Sequence, residues 1–313
     1  MPSPEDITGE GLTSESLTSQ GLTSEGLIWL ASYPKSGNTW TRVFLTNYLG
    51  RDEAGPADIN HLDGGPIASD RVLFDEVIGV EAACLLPEEV RRLRPRVYCW
   101  MAREAARARK PLFVKVHDAW QRLPSGEGLF PAEATRAVIY IARNPLDVAV
   151  SLAHHNGQPV ARTAARLCDP ATVIGETAGD ADADAGRQLP QFLGSWSDHA
   201  RSWLDDSGLP VHRMRYEDML ADPAAAFGAM LAFAGVEVDP ERLARAVQAA
   251  AFERLQEQER ERGFRERRQT ATAAFFRQGR AGGWREALSP ELAAQIVQAN
   301  RGMMRRLGYV EKI

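Results

Sequence analysis

The sequence predicts an α/β fold: a central, mainly parallel sheet with helices on both faces and a P-loop-like phosphate-binding turn. Three observations carry this expectation. Short apolar runs recur at Ile28–Ser32, Leu112–His117, Ala137–Ala142 and Val211–Tyr216. Each has the length and near-continuous hydrophobicity of a strand buried on both sides. Amphipathic stretches at Asn38–Leu49, Leu146–His155, Leu189–Leu204 and Pro223–Ala234 separate or follow them, and alternation of strands with helices builds parallel sheets. Finally, the first run leads straight into Tyr33-Pro34-Lys35-Ser36-Gly37-Asn38-Thr39-Trp40. A strand, a turn shaped by Pro34 and Gly37, and a helix N-terminus form a cradle of backbone N–H groups for an anion.

Bulk composition narrows the class. The chain has 313 residues, 44% apolar and 25% charged, with a formal net charge of −5. That is the make-up of a globular protein, and the negative charge argues against a general nucleic-acid binder. The sequence has no apolar stretch near the ~20 residues of a membrane helix and no secretory signal, so no stable membrane insertion and a cytoplasmic location are expected. Cys84, Cys99 and Cys168 lack the spacing of a zinc site or a disulfide frame. No metal is expected. Residues 11–25 repeat the units GLTSE, SLTSQ and GLTSE, too small and polar to bury a core. A disordered leader is therefore expected over 1–26, and one domain over 27–313.

The chemistry is read strand by strand. Lys35 brings a positive charge to the first turn, and Ser36 and Thr39 bring hydroxyls. The pattern is not the nucleotide-kinase G-x-x-x-x-G-K-[ST], because here the lysine precedes the glycine. The second strand ends Lys115-Val116-His117, which places a lysine and a histidine on the same side. The third strand runs into Arg143-Asn144-Pro145, then Asp147-Val148-Ala149-Val150-Ser151. Pro145 suits a first helical turn, and an arginine fork with a serine hydroxyl is suited to a phosphate monoester. The fourth ends Arg215-Tyr216-Glu217-Asp218, and near the C-terminus stands Phe276-Arg277-Gln278-Gly279-Arg280-Ala281-Gly282-Gly283-Trp284.

In these five elements, and in their order over residues 27–288, the chain resembles the sulfotransferases that use 3′-phosphoadenosine 5′-phosphosulfate (PAPS) and release 3′,5′-adenosine bisphosphate (PAP). The resemblance implies roles. His117 is the base that deprotonates an acceptor hydroxyl, less favourably an amine. Lys35 and Lys115 stabilise charge on the leaving phosphate and the sulfuryl oxygens. The backbone from Ser36 through Gly37, Asn38 and Thr39 to Trp40 holds the 5′-phosphate. Arg143, Ser151, Arg277, Gln278 and Gly279 hold the 3′-phosphate, while Trp40 and Tyr216 border the adenine. Two departures stand out: Val116 replaces a threonine on the opposite face, and Gln278 replaces a lysine, a loss of charge that Arg280 could offset. The competing readings are a P-loop-type kinase and a non-catalytic nucleotide-binding protein of the same fold.

The acceptor is expected to be a small molecule held by loops over 51–80, 154–190 and 253–275, where His61, Phe74, His154, His155 and Phe264 are candidate lining residues. Stretches 169–188 and 253–275 are expected to be flexible loops. Within the latter, the charged run 253–268 reads as a solvated helix face with pairs such as Glu261 with Arg265. Oligomeric state is not specified by any motif.

Overall fold

In the computed structural model the described residues are 25–50, 56–62, 65–175 and 187–310. Positions 1–24 of the expected leader and 176–186 of the expected loop lie outside them.

The chain forms strands β1 (Leu27–Ser32), β2 (Leu112–Val116), β3 (Thr135–Ala142), β4 (Val173–Ile174), β5 (Gln191–Phe192) and β6 (Val211–Arg215). Helices α1 (Asn38–Leu49), α2 (Arg71–Ile78) and α3 (Pro87–Ala108) lie between the first two strands. Beyond β3 come α4 (Pro145–Asn156), α5 (Val160–Cys168), α6 (Trp196–Arg201), α7 (Tyr216–Ala221), α8 (Pro223–Phe233), α9 (Pro240–Ala249), α10 (Phe252–Arg262) and α11 (Pro290–Arg306). The main sheet has the order β2-β1-β3-β6 and every pairing in it is parallel. β4 and β5 form a separate antiparallel ladder.

β1 is wholly buried and serves both faces. Leu27, Trp29 and Ala31 belong to one core with residues of α3, α4, α5 and α11, whereas Ile28 and Leu30 join the other with residues of α1, α8 and α10. This two-residue alternation explains why the sequence reads as an unbroken apolar run. Trp29 satisfies its indole N–H on Thr135 Oγ1 at 2.8 Å and meets Tyr98 and Phe130 edge-on.

Because β1 has β2 on one side and β3 on the other, the chain leaves it in opposite directions. The cleft beyond its carboxyl end is the topological switch point where α/β folds bind ligands. The turn after β1, Lys115 and His117 at the end of β2, Arg143 after β3 and Tyr216 after β6 all converge there.

Three expectations need correction. The helix expected over Leu189–Leu204 is instead the strand β5 followed by α6: Pro190 cannot serve a helix interior, and Gly194 has a left-handed φ of 66°. Ser195 then caps a new helix by accepting from the Asp198 N–H. Tyr216 ends no strand; it opens α7, with Arg215 at the N-cap. Residues 253–275 are not all loop, since α10 occupies Phe252–Arg262. Its end at Gly263 separates Glu261 from Arg265, which bonds to Asn60 instead.

Candidate active site

The turn between β1 and α1 is built by conformations that few residues tolerate. Lys35 has φ 68° and Gly37 φ 112°. A Cβ at Gly37 would lie 2.9 Å from the Tyr216 ring, so this position needs glycine for both its φ and its space. The Asn38 side chain turns inward, donating to Leu30 O at 2.8 Å and Ser32 Oγ at 3.2 Å. It therefore pins the turn to β1, and only its backbone faces the cleft. No side chain caps α1; its first-turn N–H groups are left for a ligand. Ser36 Oγ is buried and has no hydrogen-bond partner among the described residues.

Around this turn lies a cavity of about 510 Å³. Lys35, Gly37, Asn38, Thr39, Trp40, Lys115, His117, Arg143, Ser151, Tyr216, Arg277, Gln278 and Gly279 all line it. Sequence reasoning thus named groups that the fold gathers from five separate segments. Ser36 sits just behind the wall. Eight cationic side chains (Lys35, Lys115, Arg143, Arg166, Arg265, Arg267, Arg268, Arg277) and one carboxylate, Glu266, line the cavity. A chain with a net charge of −5 concentrates positive charge here, the field an anionic ligand requires.

His117 is fixed by its Nδ1, 2.8 Å from Ser32 O. A carbonyl only accepts, so Nδ1 carries the proton and Nε2 keeps its lone pair. Burial, together with the Lys115 charge, lowers its pKa to about 3, so the ring is neutral. Lys35 Nζ stands 3.5 Å over the centre of the Phe275 ring. Burial first, then Arg143, lowers its pKa to about 7.

Arg143 lies over the Tyr216 ring, 4.3 Å from its centre, and donates to Lys35 O at 3.0 Å and Arg280 O at 3.3 Å. The turn after β1 and the loop that carries Arg280 are thereby tied to one guanidinium. Trp40 donates its indole N–H to Ala250 O at 2.9 Å and meets Tyr216 edge-on. The loop with Arg277, Gln278 and Gly279 is held by Asp147, whose carboxylate accepts from Gly282 N at 2.7 Å and Trp284 N at 3.0 Å. Gly279 has φ 58°, and a Cβ there would collide with the Phe252 ring at 2.5 Å. Arg280 does not stand in for the missing lysine at 278: it pairs with Glu286 and is not part of the cavity wall.

Sequence reasoning expected a pocket loop over 253–275 but not how the strap over residues 263–276 is anchored. Glu259 of α10, itself buried, accepts from Phe275 N at 2.7 Å and Phe276 N at 2.9 Å. Arg268 donates to Asn156 at 2.6 Å, and Thr272 N to His154 O at 3.1 Å. So anchored, the strap delivers Glu266 to Arg42, to Thr39 Oγ1 at 3.3 Å and to Lys115 Nζ at 3.5 Å. In the sequence Glu266 is one acid in a mixed-charge run, and nothing distinguishes it from its neighbours. His155 lines the cavity edge-on to Phe275, while His154 bonds to Thr272. Of the other candidates, Phe74 and Phe264 are core residues and His61 faces solvent beside Asp58; none lines the cavity.

A parallel sheet with an uncapped helix and a basic cleft at its switch point defines an anion-binding α/β protein. The model of the sulfotransferase domain matches residues 26–308, and the chain belongs to that family. The fold is similar to mouse sulfotransferase SULT7A1 complexed with PAP, at 19% identity over 90% of this chain and 86% of that one, with a TM-score of 0.52. It is likewise similar to retinol dehydratase in complex with androsterone and PAP (20% identity, 89% and 80% covered, TM-score 0.52). A complex of retinol dehydratase with retinol and PAP gives 21% identity, 89% and 81% covered, and a TM-score of 0.51. Among the described residues no helix is long and apolar enough to cross a membrane.

Proposed function

We propose that this sulfotransferase uses PAPS to sulfate a hydroxyl, less favourably an amine, of a small-molecule acceptor, with His117 as general base. The observation that carries the base assignment is the Nδ1 contact to Ser32 O, which leaves Nε2 as an acceptor on a ring that lines the cavity together with Lys35 and Lys115. The donor, when bound, supplies an activated sulfuryl group and a phosphate leaving group.

The residues present fit such a donor. The uncapped α1 terminus and the orphaned Ser36 hydroxyl suit a 5′-phosphate. Arg143, Ser151, Arg277 and the Gly279 backbone suit a 3′-phosphate, and Trp40 with Tyr216 offers an aromatic corner for a purine. Lys35 and Lys115 sit where negative charge must be offset. His117 Nε2 takes the acceptor proton. Its low pKa makes it a weak base in the free protein, and an anion seated near Lys115 raises its basicity.

The kinase reading lacks a lysine directly after Gly37, where Asn38 stands with its side chain turned inward. A non-catalytic role would leave the neutral His117, in a cavity shared with Lys35 and Lys115, without a use. The free thiols of Cys84, Cys99 and Cys168 are compatible with work in the cytoplasm.

Two measurements test the proposal. Calorimetric titration should show micromolar or tighter binding of PAP, weak binding of AMP and ATP, and loss of PAP binding in Arg143→Ala. His117→Ala should lower kcat by about 10²–10⁴-fold while PAP affinity stays. Preferential binding of ATP would remove the donor assignment, and near-wild-type turnover in His117→Ala would remove the base.

A further inference from the structure

The cavity wall contains donors that the protein leaves unused among the described residues. Tyr33, the first residue after β1, is 1% exposed and lines the cavity, yet its hydroxyl has no partner among the described residues. Its ring is held edge-on by His199, 5.4 Å between centroids, so the hydroxyl is a fixed group. Burial raises the Tyr33 pKa, and it stays a protonated donor. Arg166 of α5 also lines the cavity, and its charge, acting more strongly than the opposing Asp169 carboxylate, reaches Tyr33. Among the described residues Arg166 makes one side-chain hydrogen bond, Nη2 to Val173 O at 3.2 Å, and pairs with no carboxylate.

The neighbouring polar groups differ. Gln188 Oε1 accepts from Gln191 at 3.0 Å and Ser69 at 3.2 Å, so that part of the wall satisfies itself. Ile67, Leu152, Ile174 and Leu193 supply apolar surface in the same cavity. A buried phenol and a guanidinium with no carboxylate partner among the described residues line one cavity, and what satisfies both is an oxygen anion. A neutral carbonyl would serve Tyr33 alone and leave the arginine charge uncompensated.

We propose that the acceptor is a small hydroxy acid whose carboxylate docks between Tyr33 Oη and the Arg166 guanidinium, with its hydroxyl presented to His117. This deepens the sulfotransferase reading and rests on it. It also sets the cavity apart from what a neutral, largely apolar acceptor would need. Tyr33 and Arg166 are specificity-determining residues here.

The test is equilibrium binding to the full chain saturated with PAP, using 4-hydroxyphenylacetate and its neutral counterpart 4-hydroxyphenylacetamide. The carboxylate is expected to bind at least about tenfold more tightly, as a charge-assisted contact implies. Arg166→Met should erase that preference, and Tyr33→Phe should reduce it by about three- to tenfold. PAP affinity measured on each variant reports whether fold and donor site survive. Equal affinity for the two probes, no binding of either to the PAP complex, or a preference that persists in both variants overturns the acceptor proposal. Failure of the wild-type protein to bind PAP overturns instead the sulfotransferase reading beneath it.

Discussion

The Glu266 carboxylate lies 3.5 Å from Lys115 Nζ and accepts a hydrogen bond from Thr39 Oγ1 at 3.3 Å. One acidic side chain thus sits on two groups assigned to the donor's phosphosulfate. Lys115 and then Arg42 hold Glu266 well below the usual carboxylate range, against the opposing effect of burial. It is ionised throughout the neutral range, an internal anion within an otherwise cationic cavity. An incoming bisphosphate must displace it or accept its repulsion. Glu266→Gln should therefore tighten PAP binding by roughly tenfold, or about 1.4 kcal/mol, as expected for removing a like charge a few ångströms away. The same change leaves buried Arg42 without its ion-pair partner and should lower unfolding free energy by about 1–3 kcal/mol. Calorimetry and denaturant unfolding read the two effects separately; weaker PAP binding in this variant would mean that Glu266 helps to seat the donor.

His117 should titrate differently with and without PAP. In the free protein burial and Lys115 bring its pKa to about 3, so its ring protons should keep their neutral-form NMR shifts as pH falls from 7 to 5. Anionic phosphates beside the ring favour the charged form, and the midpoint should rise by at least about one unit in the PAP complex. A free-protein midpoint near 6.5, unmoved by PAP, would separate His117 electrically from the donor site.

How much of this was legible beforehand divides along physical lines. The four main strands and α1 were readable because a strand buried on both faces leaves an unbroken apolar run, and a helix that opens on Gly37-Asn38 carries its own start signal. α3 escaped because Pro95 stands inside it and nine of its 22 residues are charged. Its start is nonetheless marked: Pro87 occupies the first turn and Glu89 accepts from Leu86 N at 2.9 Å. The residues that match the cofactor-binding motifs could be named one by one because their spacing is local. Glu266, Asp147 and Arg166 act on partners far away in sequence, and local spacing says nothing of such pairs. Asp147 was visible as a motif letter; that it clamps the Gly282–Trp284 segment depends on the fold alone.

Lys35 gives PAP binding a pH dependence with a definite sign. Its pKa near 7 in the free protein means that it is charged below pH 7 and increasingly neutral above. Bound phosphate favours the ammonium form and raises that pKa, so between the free and bound values binding takes up a proton. Affinity should be flat below pH 7, where Lys35 is concerned, and fall by up to about tenfold per pH unit above it. The phosphate monoester itself, with a second pKa of about 6, is already dianionic there and does not contribute. Titration in buffers of different ionisation enthalpy should show the proton uptake in wild type and its absence in Lys35→Met. A pH-independent affinity from 7 to 9 would place the Lys35 pKa elsewhere.

The position of His117 depends on its neighbour. Asp118, 1% exposed, receives Arg94 Nη1 at 2.9 Å and Nη2 at 2.7 Å, and Arg94 Nε donates to Tyr98 Oη at 2.9 Å. The Asp118 carbonyl accepts from Trp203 Nε1 at 2.9 Å, and His199 Nε2 donates to His117 O at 3.0 Å. The segment after β2 is thus clamped from α3 on one side and from the α6 region on the other. Removing one partner of such a buried pair strands the other charge, which typically costs about 3–5 kcal/mol. Arg94→Met should show that loss in denaturant unfolding. In whatever fraction remains folded, a displaced His117 should lower kcat more than it weakens PAP binding, since the clamp touches the base and not the phosphate loops. The double variant Arg94→Met with Asp118→Leu should recover much of the stability, because two apolar groups in place of a buried ion pair leave no charge unpaired. Full activity in a stable Arg94→Met protein would show that the Ser32 contact alone is enough to orient the imidazole.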